Sequence, residues 1–244
     1  MKRWIAFWNI LKKDIQNYYL KPPNISWGII FPFAWTLMQL IRAPQSLEIS
    51  HLLPGLMAMS ILFGSTSMLA VTITFERRGR SFDRLLLAPI SLTTMVLAKT
   101  CGAVLFGVLN AFFPVSLAAF LIDLTGTNWL LLSFGVLMIA VTATLLSLVI
   151  AVSVKEVFEA QTFSNFFRFP MLFLCGLFFP VSKLPVFLRP LAYSLPLTYG
   201  VDLLNRALTG RGMMSIGLNS AVLLGVAGLL LTLAERCIRR KWIL

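Results

Sequence analysis

One histidine, three cysteines and nine acids are all that this chain offers for metal, covalent or acid–base chemistry, and their placement disperses them. His51 has no second ligand at a metal-binding spacing. Cys101, Cys175 and Cys237 fall in or beside apolar runs without paired spacing, which argues against both a disulfide framework and a zinc site. An enzyme at a membrane surface would need catalytic groups clustered at one interface, and a lone histidine with scattered acids does not supply that. No Gly-x-x-x-x-Gly-Lys-Ser/Thr loop, which would cradle nucleotide phosphates, occurs anywhere in the sequence. The expectation is therefore no catalytic residue, no metal, no cofactor, and no ATP hydrolysis by this chain itself.

The chemistry that does stand out is electrostatic. From Glu76 to Ser91 the sequence reads Glu-Arg-Arg-Gly-Arg-Ser-Phe-Asp-Arg-Leu-Leu-Leu-Ala-Pro-Ile-Ser. Its first half sets four arginines against two acids, and its second half is apolar up to Pro89, where a helical run would break. Two roles fit such a stretch at a water boundary: a solvated positive loop that fixes topology, or a docking element that receives force from a partner. A few polar groups lie within apolar runs instead. Arg168 sits close enough to the end of its run to snorkel to the interface, and Gln39, Asn110 and Asn219 are expected to hydrogen-bond between helices.

The rest of the chain must position these groups in lipid. Of 244 residues 58% are hydrophobic and only 12% charged, with a mean hydropathy of +0.86, whereas soluble domains carry about 25% charged residues. The fold class is all-α integral membrane. A net charge of +12 raises the possibility of nucleic acid, but the basic residues cluster between apolar runs and make no continuous basic face. Anionic lipid headgroups are the expected counter-charge. The first twenty residues interleave charge and apolar groups, so no cleavable signal peptide is expected.

In order, Trp4, Phe7, Trp8, Leu11, Ile15, Tyr18 and Tyr19 recur at helical spacing and predict an amphipathic interface helix over 1–21. Apolar runs at 25–41, with Pro32 expected to kink it, and at 52–75 predict two spans. The third, 100–122, aligns Ala103, Gly107 and Ala111 four apart, a face small enough for close helix approach. The fourth runs from Trp129 to Val154. The fifth, 163–181, is interrupted by Arg168, Pro170, Gly176 and Pro180 and reads as a broken or re-entrant helix. Residues 182–214 are too apolar for a free loop and too proline-rich for a span, so short interfacial helices are expected there. The last run, 215–234, repeats the small-residue pattern at Gly217, Ala221 and Gly225. Six spans in a single domain, 1–244, account for the chain.

Orientation follows from the lysines and arginines: with the N-terminus inside, sixteen fall in inner segments and five in outer ones. That bias puts both termini and the 76–91 stretch in the cytoplasm. An ion-coupled secondary carrier would instead place carboxylates near the bilayer midplane. Glu76, Asp123, Glu156, Glu159 and Glu235 all fall at span ends, and no internal repeat is evident.

Taken together, the N-terminal amphipathic helix, the Leu85-Leu86-Leu87-Ala88-Pro89-Ile90 core, and a third block resemble the ABC-2-type permease family, the membrane subunits of ATP-binding-cassette exporters. The third block runs from Leu174 to Tyr199 and includes Gly176, Phe178-Phe179-Pro180, Leu184-Pro185, Arg189-Pro190-Leu191-Ala192-Tyr193 and Pro196-Leu197-Thr198-Tyr199. The basic residue expected soon after the last tyrosine is displaced to Arg206. The resemblance implies a dimer in a bacterial inner or plasma membrane that works with two copies of a separate ATPase. It implies export of an amphipathic or hydrophobic substrate such as a drug, a lipid or a lipid-linked glycan. The segment 76–91 would be the coupling helix, with Glu76, Arg77, Arg80, Phe82, Asp83, Arg84, Leu85, Leu86 and Pro89 meeting the ATPase. The outer gate would be built by Phe178, Phe179, Pro180, Pro190, Tyr193, Pro196 and Tyr199, on paired re-entrant helices between the fifth and sixth spans.

Overall fold

The computed structural model describes residues 2–19, 21–42, 46–81, 87–88, 90–238 and 240. Among these every regular element is helical. Helix α1, Lys2–Asn17, is followed by α2, Pro22–Arg42. Within α2 a π-helical turn spans Ser26–Ile30, directly before Pro32. The proline ring cannot accommodate the carbonyl four residues back, at Gly28, so the disturbance expected at Pro32 is taken up one turn earlier.

Helix α3, Ser46–Arg78, is the axis of the molecule. It packs against α4, Leu92–Ala118, α5, Trp129–Ser153, and α6, Val157–Leu174, and its membrane-length window is entirely buried. Two 3-10 turns, Val181–Lys183 and Val186–Leu188, lead to α7, Arg189–Ser194, α8, Pro196–Thr209, and α9, Ile216–Ile238. Ser91 caps α4 by accepting a hydrogen bond from Thr94 N–H at 3.2 Å, and Asn128 caps α5 through Leu131 N–H at 3.0 Å.

One core, centred on Leu56, Met57 and Phe63 of α3, takes in Leu132, Val136 and Ile139 of α5 and Leu197, Val201 and Leu204 of α8. A second joins Met68 and Ile73 to Leu148 and Ala234. Close approach follows the glycines. A methyl on Gly107 would lie 1.8 Å from Ser65 Oγ, and Ala103 and Ala111 on the same stripe are fully buried. By contrast Gly217 and Gly225 of α9 face no atom within 4 Å among the described residues.

Among the described residues five helices are long and apolar enough to cross a membrane: Pro22–Arg42, Ile49–Arg78, Thr93–Ala118, Trp129–Ser153 and Ile216–Ile238. The remaining expected span corresponds to α6, which differs from the sequence reading. It starts at Val157, runs unbroken through Arg168 and Pro170, and stops at Leu174. The break lies beyond it, where Gly176 adopts φ +79°. Helix α8, expected among the short interfacial helices, packs along α5 with most of its apolar residues buried.

Candidate functional sites at the two ends of the bundle

At one end of the bundle α1 lies against α4. Its inward face carries Ile10, Leu11 and Asp14, while Trp4, Ile5, Trp8 and Ile15 are exposed. Asp14 is one member of a buried ion cluster. Lys99 Nζ of α4 stands 2.9 Å from Asp14 Oδ2 and 2.5 Å from Glu76 Oε2, and Lys13 Nζ pairs with Glu76 Oε1 and lies 3.4 Å from Asp14 Oδ1. Two cations balance two anions, so the desolvation of each charge is offset within the cluster. Burial still dominates at Asp14 and pushes its carboxyl up, against the pull of Lys99. Partial burial works to lower the Lys13 ammonium, but the hydrogen bond and charge of Glu76 outweigh it and its pKa is raised.

This cluster fixes the start of the charged stretch. Glu76 closes the last turns of α3 with its side chain wholly buried, so its carboxylate turns toward α1 and α4 and away from solvent. Arg77 Nη1 donates to Val154 O at 2.7 Å, tying the same turn to the end of α5. Tyr18 and Ser81 hydroxyls meet at 3.2 Å. Arg78 and Arg80 are exposed, and Arg80 has φ +52°. They line a cavity of about 650 Å³ with Arg77, Lys155, Glu156 and Phe158. The segment between α5 and α6 therefore shares this surface with the start of the 76–91 stretch. Phe82, Asp83, Arg84, Leu85, Leu86 and Pro89 lie outside the described residues.

Arg168 overturns the snorkelling expectation. Its side chain is 1% exposed and sits between α6 and α3. Nε donates to Thr66 Oγ1 at 2.5 Å, Nη1 to Asn165 Oδ1 at 3.0 Å and Nη2 to Ser67 Oγ at 2.9 Å. The guanidinium lies 5.1 Å from the centre of the Phe63 ring. Hydroxyls and an amide take its hydrogen bonds, and no carboxylate pairs with it among the described residues. Of the three amides, Asn219 makes an inter-helix bond, to Asp202 at 2.8 Å, whereas Asn110 donates within its own helix to Phe106 O.

At the opposite end, residues 175–199 fold on themselves. Phe178 packs on Trp35 with ring centres 5.9 Å apart, while Phe179, Pro180, Pro190 and Tyr193 are exposed. Arg189 ties the two 3-10 turns together, donating to Leu184 O at 3.1 Å and Ser182 O at 2.6 Å. Tyr199 Oη donates to Tyr193 O at 2.8 Å, and Pro196 begins α8 at a position where its missing N–H costs nothing.

The sequence of this chain matches the family model described as ABC-2 type transporter over residues 5–208. The chain belongs to the ABC-2 type transporter family. It is 22% identical to the inner membrane transport permease YadH of Escherichia coli K12 over 208 residues, covering 82% of this chain and 81% of that protein. It is 26% identical to nodulation protein J of Rhizobium meliloti over 250 residues, covering 98% and 93%. To the putative transport permease ycf38 of Pyropia yezoensis it is 22% identical over 205 residues, covering 79% and 70%. As a multi-pass membrane protein of the ABC-2 family, the chain carries its distinguishing polar groups at the bundle ends and at Arg168.

Three residues of this ABC-2 protein escaped the sequence reading. Asp14 and Lys99 complete the ion cluster, and Asp202 of α8 holds the loop before α9. Asp14 had a signal: it falls on the apolar face of α1, one turn from Ile10 and Leu11, where an acid must find a partner. Asp202 had the same signal between Val201 and Leu203.

Proposed function

We propose that this chain is the membrane-spanning permease subunit of an ATP-driven exporter. It would act as a homodimer with two copies of a separate ATPase, moving an amphipathic or hydrophobic substrate out of the cytoplasm or inner leaflet. Six spans, with α6 as the fifth, would leave both termini and residues 76–91 in the cytoplasm, in line with the sixteen-to-five distribution of basic residues. The observation that carries this reading is the ion cluster. It joins the entry to the charged stretch directly to α1 and to the membrane-length helices α3 and α4. A push on 76–91 would therefore move two long helices and the interface helix together, while Arg77 passes it to the end of α5. Glu76 would then serve as the inner anchor of the coupling segment, and Arg78 and Arg80 as part of its outer surface.

At the far end, the folded 175–199 segment would close the pathway until the two copies move apart. Spin labels at Lys183 and Val186 report this, and an inter-subunit distance unchanged through a hydrolytic cycle with transport proceeding rules the gate out. A secondary carrier is not favoured, because the acids buried among the described residues, Asp14, Glu76 and Asp202, are all engaged within the chain at the bundle ends.

The test is assembly and coupling. Leu85→Asp and Leu86→Asp variants, co-expressed with the ATPase, are expected to lose complex yield or to hydrolyse ATP without transport in reconstituted vesicles. Loss of a desolvated anchor costs about 2 kcal/mol or more. Normal yield together with normal transport in both variants would return the stretch to a topology-fixing loop.

A further inference from the structure

Beside the gate segment lies a cavity of about 520 Å³, within the size range of small-molecule sites. One wall is the chain just past α6, where Gly176 turns in the left-handed region and sets Leu177, Phe178 and Phe179 along the cavity. The other wall is the loop between α8 and α9. It begins at Gly210, also left-handed at φ +72°, and presents Met213 and Met214. Aromatic and methionine side chains give an apolar lining that adapts to varied shapes.

The charges around this lining are unequal in availability. Asp202 reaches the cavity, but its carboxylate is used up: Oδ1 accepts Met213 N–H at 2.6 Å, and Oδ2 accepts Met214 N–H at 3.0 Å and Asn219 Nδ2 at 2.8 Å. Those three donors occupy both of its oxygens and clamp the loop, and Arg206 Nη2 secures the same loop by donating to Met214 O at 2.7 Å. Lys183 and Arg211 are exposed on opposite walls, and among the described residues their hydrogen bonds come from backbone N–H groups, to Pro180 O and Thr209 Oγ1, while the charged ends of their side chains carry no hydrogen bond or ion pair. His51 of α3 completes the rim. The result is an apolar chamber whose available charges are positive.

We propose that this cavity is a binding site for an amphipathic anion, its apolar body over Phe178, Phe179 and Met213 and its anionic group between Lys183 and Arg211. Such a ligand comes either from the outer lipid leaflet, as an anionic phospholipid, or from the pathway, as exported substrate. The second source rests on the function proposed above; binding itself does not.

The experiment uses the permease alone in phosphatidylcholine nanodiscs, with empty discs as background. The probes are 11-(dansylamino)undecanoic acid and its neutral analogue N-undecyl dansylamide, read by fluorescence enhancement. The anionic probe is expected to bind about tenfold tighter, as two ion pairs of modest strength supply. Lys183→Gln with Arg211→Gln removes that advantage and leaves the neutral probe unchanged, which also reports an intact fold. Phe179→Ala weakens both probes. Displacement by added phosphatidylglycerol identifies lipid as the occupant. Stimulation of the assembled ATPase by the anionic probe, lost in the double variant, identifies cargo. Equal affinity for the two probes, or an unaltered preference in the double variant, overturns the site. Because the binding arm contains no ATPase, it fails or succeeds independently of the exporter reading.

Discussion

Lys99 Nζ stands 2.9 Å from Asp14 Oδ2 with both side chains shut away from solvent, so an ammonium on α4 and a carboxylate on α1 are held together across 85 positions of sequence. Replacing Lys99 by Met would leave two buried carboxylates facing Lys13 alone. A broken buried pair typically costs about 3–5 kcal/mol. We expect Lys99→Met to lower the thermal midpoint sharply in detergent, and the double change Lys99→Met with Asp14→Asn, which restores neutrality, to recover most of the loss. Equal destabilisation by the single and double changes would show that the cluster is not held by charge balance.

Part of this end of the molecule was legible beforehand, because apolar residues at helical spacing mark a helix, although Trp4, Trp8 and Ile15 of that stripe are exposed and the face against α4 is that of Ile10, Leu11 and Asp14. Trp4, Phe7, Trp8, Leu11 and Ile15 marked a helix, and α1 runs from Lys2 to Asn17. What spacing does not carry is the partner. Asp14 reads as an interruption of an apolar face until Lys99 is known to sit opposite. Small-residue stripes share this limit: Gly107 meets α3, with Ala103 and Ala111 buried in the cores α3 helps to form, whereas Gly217 and Gly225 face no atom within 4 Å among the described residues. A stripe says that a face can be approached, not by what. The break in the fifth run was misplaced for a related reason. Arg168 and Pro170 look like interruptions in isolation, but the hydroxyls of Thr66 and Ser67 receive the arginine and keep α6 continuous.

The raised pKa of Lys13 predicts a pH dependence with a definite sign. Its folded-state pKa lies above the ordinary lysine value of 10.5, so the stabilisation is fully present below that pH and is lost as pH rises through the folded value. The gap in thermal midpoint between the parent and Lys13→Met is expected to stay constant at neutral and mildly alkaline pH and to shrink only above 10.5. A gap that closes already at neutral pH would contradict the pairing with Glu76.

Gly55 lies where α3 passes the chain beyond α6, and a methyl there would stand 1.9 Å from Leu177 O. Backbone cannot yield as a side-chain tip does, so Gly55→Ala forces the two segments apart at a cost of about 1–3 kcal/mol. Gly225→Ala, by contrast, meets open space and removes a helix-weakening glycine, with an expected gain of up to about 1 kcal/mol. Thermal midpoints of the two variants should move in opposite directions. A loss in Gly225→Ala comparable to that in Gly55→Ala would reveal that a second molecule covers the α9 face.

Arg168 carries a positive charge inside the bundle with Thr66, Ser67 and Asn165 as its hydrogen-bond partners. Neutral partners satisfy donors but do not cancel a charge, so this arginine is held at an energetic cost. Substitution by Met keeps an unbranched chain of similar reach and removes the charge; buried ionic groups replaced in this way often leave stability unchanged or raise it by about 1–4 kcal/mol. Lys keeps the charge but replaces the planar fork with a point donor that cannot serve three acceptors on two helices in the same geometry. The expected order of thermal midpoints is therefore Arg168→Met at or above the parent, and Arg168→Lys below it. A Lys variant as stable as the parent would show that the fork is dispensable. A Met variant weakened by about 3 kcal/mol or more would show that the hydroxyl pocket compensates the charge fully. Transport by the stable Met variant then separates the two roles of the residue: retained transport makes Arg168 a clasp between α6 and α3, and lost transport with intact stability makes it part of the pathway.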